Sequence, residues 1–180
     1  MTESAELFRL PPPRCLVDFV VRSTEDPGVE LDKLVEVWPE RFFRLACPCG
    51  GEAFRVRGRV QREKYLQIDR LAGTGTTICR VCGRAAVAFD PALHGYDVEI
   101  DHFPGAGPCP GVLQDFSCPA CARQAFALVV RFQYPDNVLA HRWPPERRQP
   151  LPQDLFTYFS LLGRCVACGE WTTVQSTECA

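Results

Sequence analysis

Eight cysteines fall in four close pairs, Cys47/Cys49, Cys79/Cys82, Cys118/Cys121 and Cys165/Cys168, out of eleven in a chain of 180 residues. Disulfide frameworks do not usually arrive as CxxC pairs repeated along a chain. Tetrahedral metal sites do, because one tight turn offers two thiolates to a single ion. A knuckle of this kind turns its backbone N–H groups toward the sulfurs, commonly with glycine after the second cysteine. Cys49-Gly50, Cys82-Gly83 and Cys168-Gly169 fit, since glycine supplies the positive φ such a turn needs. Cys121-Ala122 departs from the pattern, and a different turn conformation is expected there. The first pair is CxC rather than CxxC, a spacing that still serves one ion.

Two pairs make one four-cysteine site. Joining sequence neighbours closes the shortest loops: Cys47, Cys49, Cys79 and Cys82 form one site, and Cys118, Cys121, Cys165 and Cys168 the other. Nested and crossed pairings are the alternatives that spacing leaves open. Neighbour pairing also gives both units one plan: a knuckle beginning Cys-Pro, an alternating run, a return run, a second knuckle and a short strand, RAAVAFD in the first and EWTTVQS in the second. Such a plan reads as a diverged internal repeat. In the outgoing arms Phe54, Val56 and Val60 alternate with Arg55, Arg57 and Arg59, while Phe126, Leu128, Val130, Phe132 and Tyr134 share one face. Return strands are expected in KYLQIDRL and LFTYFSLLGRC.

The motifs CPCG, CRVCG, CPAC and CVACG, with a hairpin arm between knuckles, resemble the zinc ribbon family of folds over roughly residues 41–90 and 112–177. The resemblance implies two structural zinc ions and a mainly β fold (small α+β as a variant), two tandem zinc ribbons with an N-terminal extension. It implies no single activity. Four thiolates leave zinc no open position, so the ion would staple the fold rather than act as a Lewis acid, adding binding energy on the order of 10 kcal/mol per site to folding. CPAC alone would suit a thiol oxidoreductase, which needs its first cysteine at a helix N-terminus. The following ARQAFALVVRFQY reads as strand, which argues against redox turnover.

Residues 1–40 are expected to pack on the first ribbon as an extension, with CLVDFVVRS a strand alternating Val17, Phe19 and Val21. VELDKLVEVW offers a short helix with Leu31, Leu34 and Val35 on one face, a strand being the alternative. GTGTT at 73–77 lacks the lysine of a phosphate loop and reads as a flexible connection to the knuckle. Residues 91–111 read as a linker, with the second ribbon over 112–180. Residues 135–154 form a proline-rich insertion carrying His141, Arg142, Trp143, Arg147 and Arg148. Cys15, Cys109 and Cys179 stand outside the pairs, and His94, Asp101, His102 and Cys109 match no trusted ligand spacing. No Ser-His-Asp or paired-carboxylate arrangement emerges, and a non-catalytic protein is expected.

The formal charge is −2, unevenly spread: −5 over residues 1–40, +7 over 41–84, −5 over 85–117 and +1 over 118–180. The first ribbon is thus a basic island. Strand alternation puts Arg55, Arg57 and Arg59 on one face, with Arg62 and Lys64 as extensions. Three fates compete for this face: pairing with the chain's own acids, a protein partner, or phosphate of a nucleic acid. Net acidity and the lack of aromatics other than Tyr65 argue against nucleic acid. The N-terminal MTESAELFRL lacks the pattern of a secretory signal, and no apolar run has membrane-spanning length, so a cytoplasmic location is expected. The leading functional expectation is an intracellular zinc-binding interaction module: an adaptor, a regulator or a toxin-neutralising protein. It would contact another protein through Arg55, Arg57, Arg59, Arg62, Lys64 and Trp143. A nucleic-acid accessory factor and a thiol redox enzyme are the alternatives.

Overall fold

The computed structural model describes residues 6–25, 28, 38–62, 69–90, 94, 111–135 and 151–178, and among these the chain is mainly β. Nine strands run in chain order: β1 (Val20–Thr24), β2 (Glu40–Ala46), β3 (Ala53–Arg62), β4 (Asp69–Cys79), β5 (Ala85–Val87), β6 (Val112–Asp115), β7 (Phe126–Gln133), β8 (Tyr158–Cys165) and β9 (Trp171–Glu178). Residues 6 and 7 are helical, and Arg14–Leu16 and Pro152–Asp154 form three-residue 3-10 turns. No described helix is long and apolar enough to cross a membrane.

Both arms of the repeat are hairpins, β3 with β4 and β7 with β8. The hairpins join where β3 meets β7 in antiparallel pairing, Phe54 opposite Phe126. Each phenylalanine also pairs with the cysteine that opens its own second knuckle, Phe54 with Cys79 and Phe126 with Cys165. Equivalent residues facing each other across one antiparallel contact relate the two units by a local two-fold axis. On the far side β9 pairs antiparallel with β8 and meets β4 in parallel at Leu71 and Gln175. The circuit β3–β4–β9–β8–β7 therefore returns to β3, and five strands from both units close one ring. β5 and β6 flank the first hairpin, and β2 carries β1 onto the second unit through β7.

Inward residues fill this ring. Phe126, Val130, Phe132 and Phe159 are fully buried, as are Val56 and Val174. Phe89, just beyond β5, stacks on Phe159 at 4.3 Å between centroids, and Phe132 meets Phe156 at 4.6 Å. Aromatic pairs at such distances add to the burial itself. A smaller cluster of Phe42, Val129, Leu162 and Trp171 lies on the opposite face of β2, β7, β8 and β9.

Several local expectations are corrected. GTGTT is not a flexible connection: β4 runs through it, with a bulge against β3 between Arg57 and Arg59. The glycines admit Leu71, because a Cβ on Gly75 would stand 2.8 Å from a Leu71 methyl. Buried Gln175 then donates its amide to the Gly73 carbonyl at 2.7 Å. The N-terminal strand begins only at Val20. Residues Arg14–Leu16 form a 3-10 turn held by Asp154, which accepts from the Arg14 backbone N–H at 2.8 Å and pairs with its guanidinium, and Val17 is left 84% exposed. This N-terminal stretch touches both units, Phe19 against Phe54 and Asp18 to Arg84 at 3.0 Å on the first, Arg14 to Asp154 on the second. Arg41 ties it down by donating to the Leu10 and Pro11 carbonyls at 2.6 and 3.1 Å. The helix expected near Leu31, Leu34 and Val35 lies outside the described residues.

Candidate metal centres

The knuckle turns repeat nearly hydrogen bond for hydrogen bond. In the first knuckles Cys47 N–H donates to Gly51 and Gly50 N–H to Cys47. Cys118 N–H and Ala122 N–H repeat this toward Arg123 and Cys118. In the second knuckles Cys79 N–H reaches Arg84 and Gly83 N–H returns to Cys79, as Cys165 and Gly169 do with Glu170 and Cys165. Residue Ala122 was expected to break the pattern. Instead it holds φ at +60°, in the region of Gly50 (+87°), Gly83 (+76°) and Gly169 (+79°). The turn hydrogen bonds impose that conformation despite its Cβ. Each second knuckle is also stitched to the first arm of its own unit, Arg80 N–H to Ala53 and Val166 N–H to Ala125, both at 2.9 Å.

These turns bring the cysteines together as two groups of sequence neighbours: Cys47, Cys49, Cys79 and Cys82, then Cys118, Cys121, Cys165 and Cys168. All four sulfurs of each group lie within 4.8 Å of one another. Sulfurs of Cys47 and Cys82, Cys49 and Cys79, Cys118 and Cys168, and Cys121 and Cys165 stand 3.6 Å apart. Disulfide sulfurs would sit about 2.05 Å apart. Four sulfurs at about 2.3 Å from a central ion stand roughly 3.8 Å from each other, so both groups have the size of a tetrahedral thiolate site. In each, one cysteine per knuckle is buried and one exposed. Gly51 packs against the first group so closely that a Cβ there would lie 2.8 Å from the Cys79 sulfur.

Backbone dipoles prepare some of these sulfurs for the anionic state. N–H groups of Cys82 and Val81 bring the Cys79 thiol down to about 7 against the cost of burial. Burial acts to raise Cys165, yet the N–H groups of Cys168 and Ala167 outweigh it and bring that thiol to about 7 as well. The Gly51 N–H acts to lower Cys49, but the sulfurs of Cys82 and Cys47 beside it push its thiol up to about 12. Cys168 is likewise pushed up to about 12, its Glu170 N–H outweighed by the Cys121 and Cys118 sulfurs and burial. Thiols this close titrate as coupled groups, each proton's release depending on its neighbours.

The remaining candidates scatter. Arg55, Arg57 and Arg59 lie on the outward face of β3, out of phase with buried Phe54 and Val56. Arg55 pairs with Asp115 at 3.5 Å, Arg59 donates to the Gly111 carbonyl at 3.2 Å, and no ion pair engages Arg57 among the described residues. Arg62 falls on the opposite face by alternation and lies 3.8 Å from Asp69. His94 accepts the Asp90 N–H on Nδ1 at 3.0 Å and leans on Phe89, and burial lowers its pKa. Cys15 is buried. Lys64, Tyr65, Asp101, His102, Cys109, Trp143 and Cys179 lie outside the described residues, as do His141, Arg142, Arg147 and Arg148. Arg70, which strand register places beside the β3 arginines, escaped the sequence reading. So did the closeness of Gly51 to Cys79, although its place two residues after Cys49 was the available signal. Comparisons of the chain with protein families, with curated proteins and with solved structures return no match, and the metal centres rest on their own geometry.

Proposed function

We propose that the chain is a non-catalytic zinc-binding protein that serves as an interaction module for another protein. The observation that carries this reading is the pair of four-sulfur groups at tetrahedral spacing. Zinc suits four thiolates, and a full set of sulfurs leaves it no position at which to activate water or substrate. The knuckle cysteines open turns between strands rather than helix N-termini, which speaks against thiol–disulfide turnover. Turnover of insulin disulfides by metal-loaded or metal-free protein would contradict the non-catalytic reading.

An interaction role is supported by the basic outer face of β3, which stands out from an acidic chain. The test is affinity capture from host extract with metal-loaded protein, set against a variant carrying Arg55→Ala, Arg57→Ala and Arg59→Ala. A defined protein lost from the variant is expected. The second reading is a nucleic-acid accessory factor, favoured by the same row of guanidinium groups. It predicts salt-sensitive retention on nucleic acid that falls in the triple variant, and equal retention of both proteins at low salt dismisses it.

A further inference from the structure

We propose that the free side of β6, with the outer face of β3 behind it, docks an extended acidic segment of a partner protein as an added strand. This rests on the interaction-module reading and names the partner's chemistry.

β6 ends the path of the sheet: it pairs with β3 on one side, and among the described residues no strand pairs the other. Edge strands that present unpaired backbone groups are normally blunted by charge, proline or cover. β6 has the sequence VLQD, its aspartate is engaged by Arg55, and Val112 and Leu113 are 68% and 58% exposed. This short edge carries no proline and its one charge is already paired.

Register states what an added strand would meet. Leu113 lies opposite Arg59 and Asp115 opposite Arg57. Arg70, opposite Gln61, extends the same face from β4. On the face that β3 and β6 share, Arg55, Arg57 and Arg59 meet the carboxylate of Asp115, so among the described residues of these two strands two positive charges are in surplus there. A strand beside β6 would stand one spacing from Leu113 and two spacings, about 10 Å, from the β3 arginines. Alternate side chains of that strand would lie on the arginine face, where glutamate or aspartate meets long guanidinium arms and an aliphatic residue meets Leu113. Main-chain pairing supplies affinity in such strand addition, and alternate side chains supply selection.

The same register favours a peptide over nucleic acid. Outward neighbours of the arginines on β4 are Ala72, Thr76 and Ile78. No aromatic ring stands among them to stack a base, the feature that single-strand binders use.

The experiment uses the full chain, first checked to carry two metal ions and an unchanged far-UV spectrum. A fluorescein-labelled peptide of about six residues alternating glutamate and valine, the length of an ordinary strand, is titrated by anisotropy at low and high salt. We expect saturable, salt-weakened binding, no binding of the lysine–valine counterpart, and at least about tenfold loss in Arg57→Glu/Arg59→Glu. The milder Arg57→Gln/Arg59→Gln pair should lose in the same direction and guards against a folding defect. N-methylation of one alternate set of peptide amides should abolish binding, whereas methylation of the other set should not. No binding at low salt, equal binding of both methylated peptides, or displacement of the peptide by a tighter-binding oligothymidylate would each overturn the docking site. A metal content other than two would strike the zinc reading instead, before any peptide is added.

Discussion

Ala122 holds a backbone conformation that costs an L-residue roughly 1–2 kcal/mol, and it does so because its N–H must reach Cys118 to form the knuckle. Ala122→Gly should therefore raise stability by about 1 kcal/mol, part of the relief being returned as glycine's greater chain entropy. A higher midpoint in urea with unchanged slope would show it. Gly51→Ala works in reverse: its Cβ would press on the Cys79 sulfur at 2.8 Å, so metal affinity in the first group should fall while the second is retained, as read by competition with a chromophoric chelator. Protonation acts on the same sulfurs. In the metal-free fold Cys79 and Cys165 titrate near 7, below the ordinary 9 of the unfolded chain. Their contribution to stability is complete above about pH 9 and is lost as pH falls through about 7. Metal binding needs every thiol of a group deprotonated, so affinity should weaken on acidification and proton release should accompany loading.

At the scale of elements, the second hairpin is the mechanical centre. β7 pairs with β2, β3 and β8, and its inward face is buried from Phe126 to Tyr134. Phe132→Ala would empty a space bounded by Phe43, Phe156 and Phe159 and should cost about 3–5 kcal/mol in chemical denaturation. This much was legible in the sequence, because period-2 alternation marked the same face and cysteine spacing marked where each arm must begin and end. What stayed hidden has physical reasons. A run such as GTGTT is poor in strand formers, yet β4 tolerates it because Leu71 needs the room and Gln175 satisfies the Gly73 carbonyl from another strand. CLVDF alternates like a strand but is diverted into a turn by Asp154, 140 residues away in sequence from Arg14. Contacts of that range leave no local trace. The Ala122 turn is hidden for a different reason: its conformation follows from its place, equivalent to Gly50 in the other repeat, and not from its residue type.

The whole molecule is built around the junction of its two halves. Phe54 and Phe126 pair across the local axis, each held by the strand that delivers its unit's second knuckle, and five strands drawn from both units close one ring. The two sulfur groups therefore brace a common core rather than separate ones. Removing metal from either group should destabilise the whole chain, which should then unfold at a lower denaturant concentration in one transition, with far-UV and tryptophan signals changing together. A Cys165→Ser variant should lower the thermal midpoint of the entire protein, not of half of it. All of this depends on the eight sulfurs holding metal, and the most direct test is elemental analysis of the purified chain against protein concentration. The account predicts two zinc ions per chain; a ratio near zero, or iron in place of zinc, would contradict it.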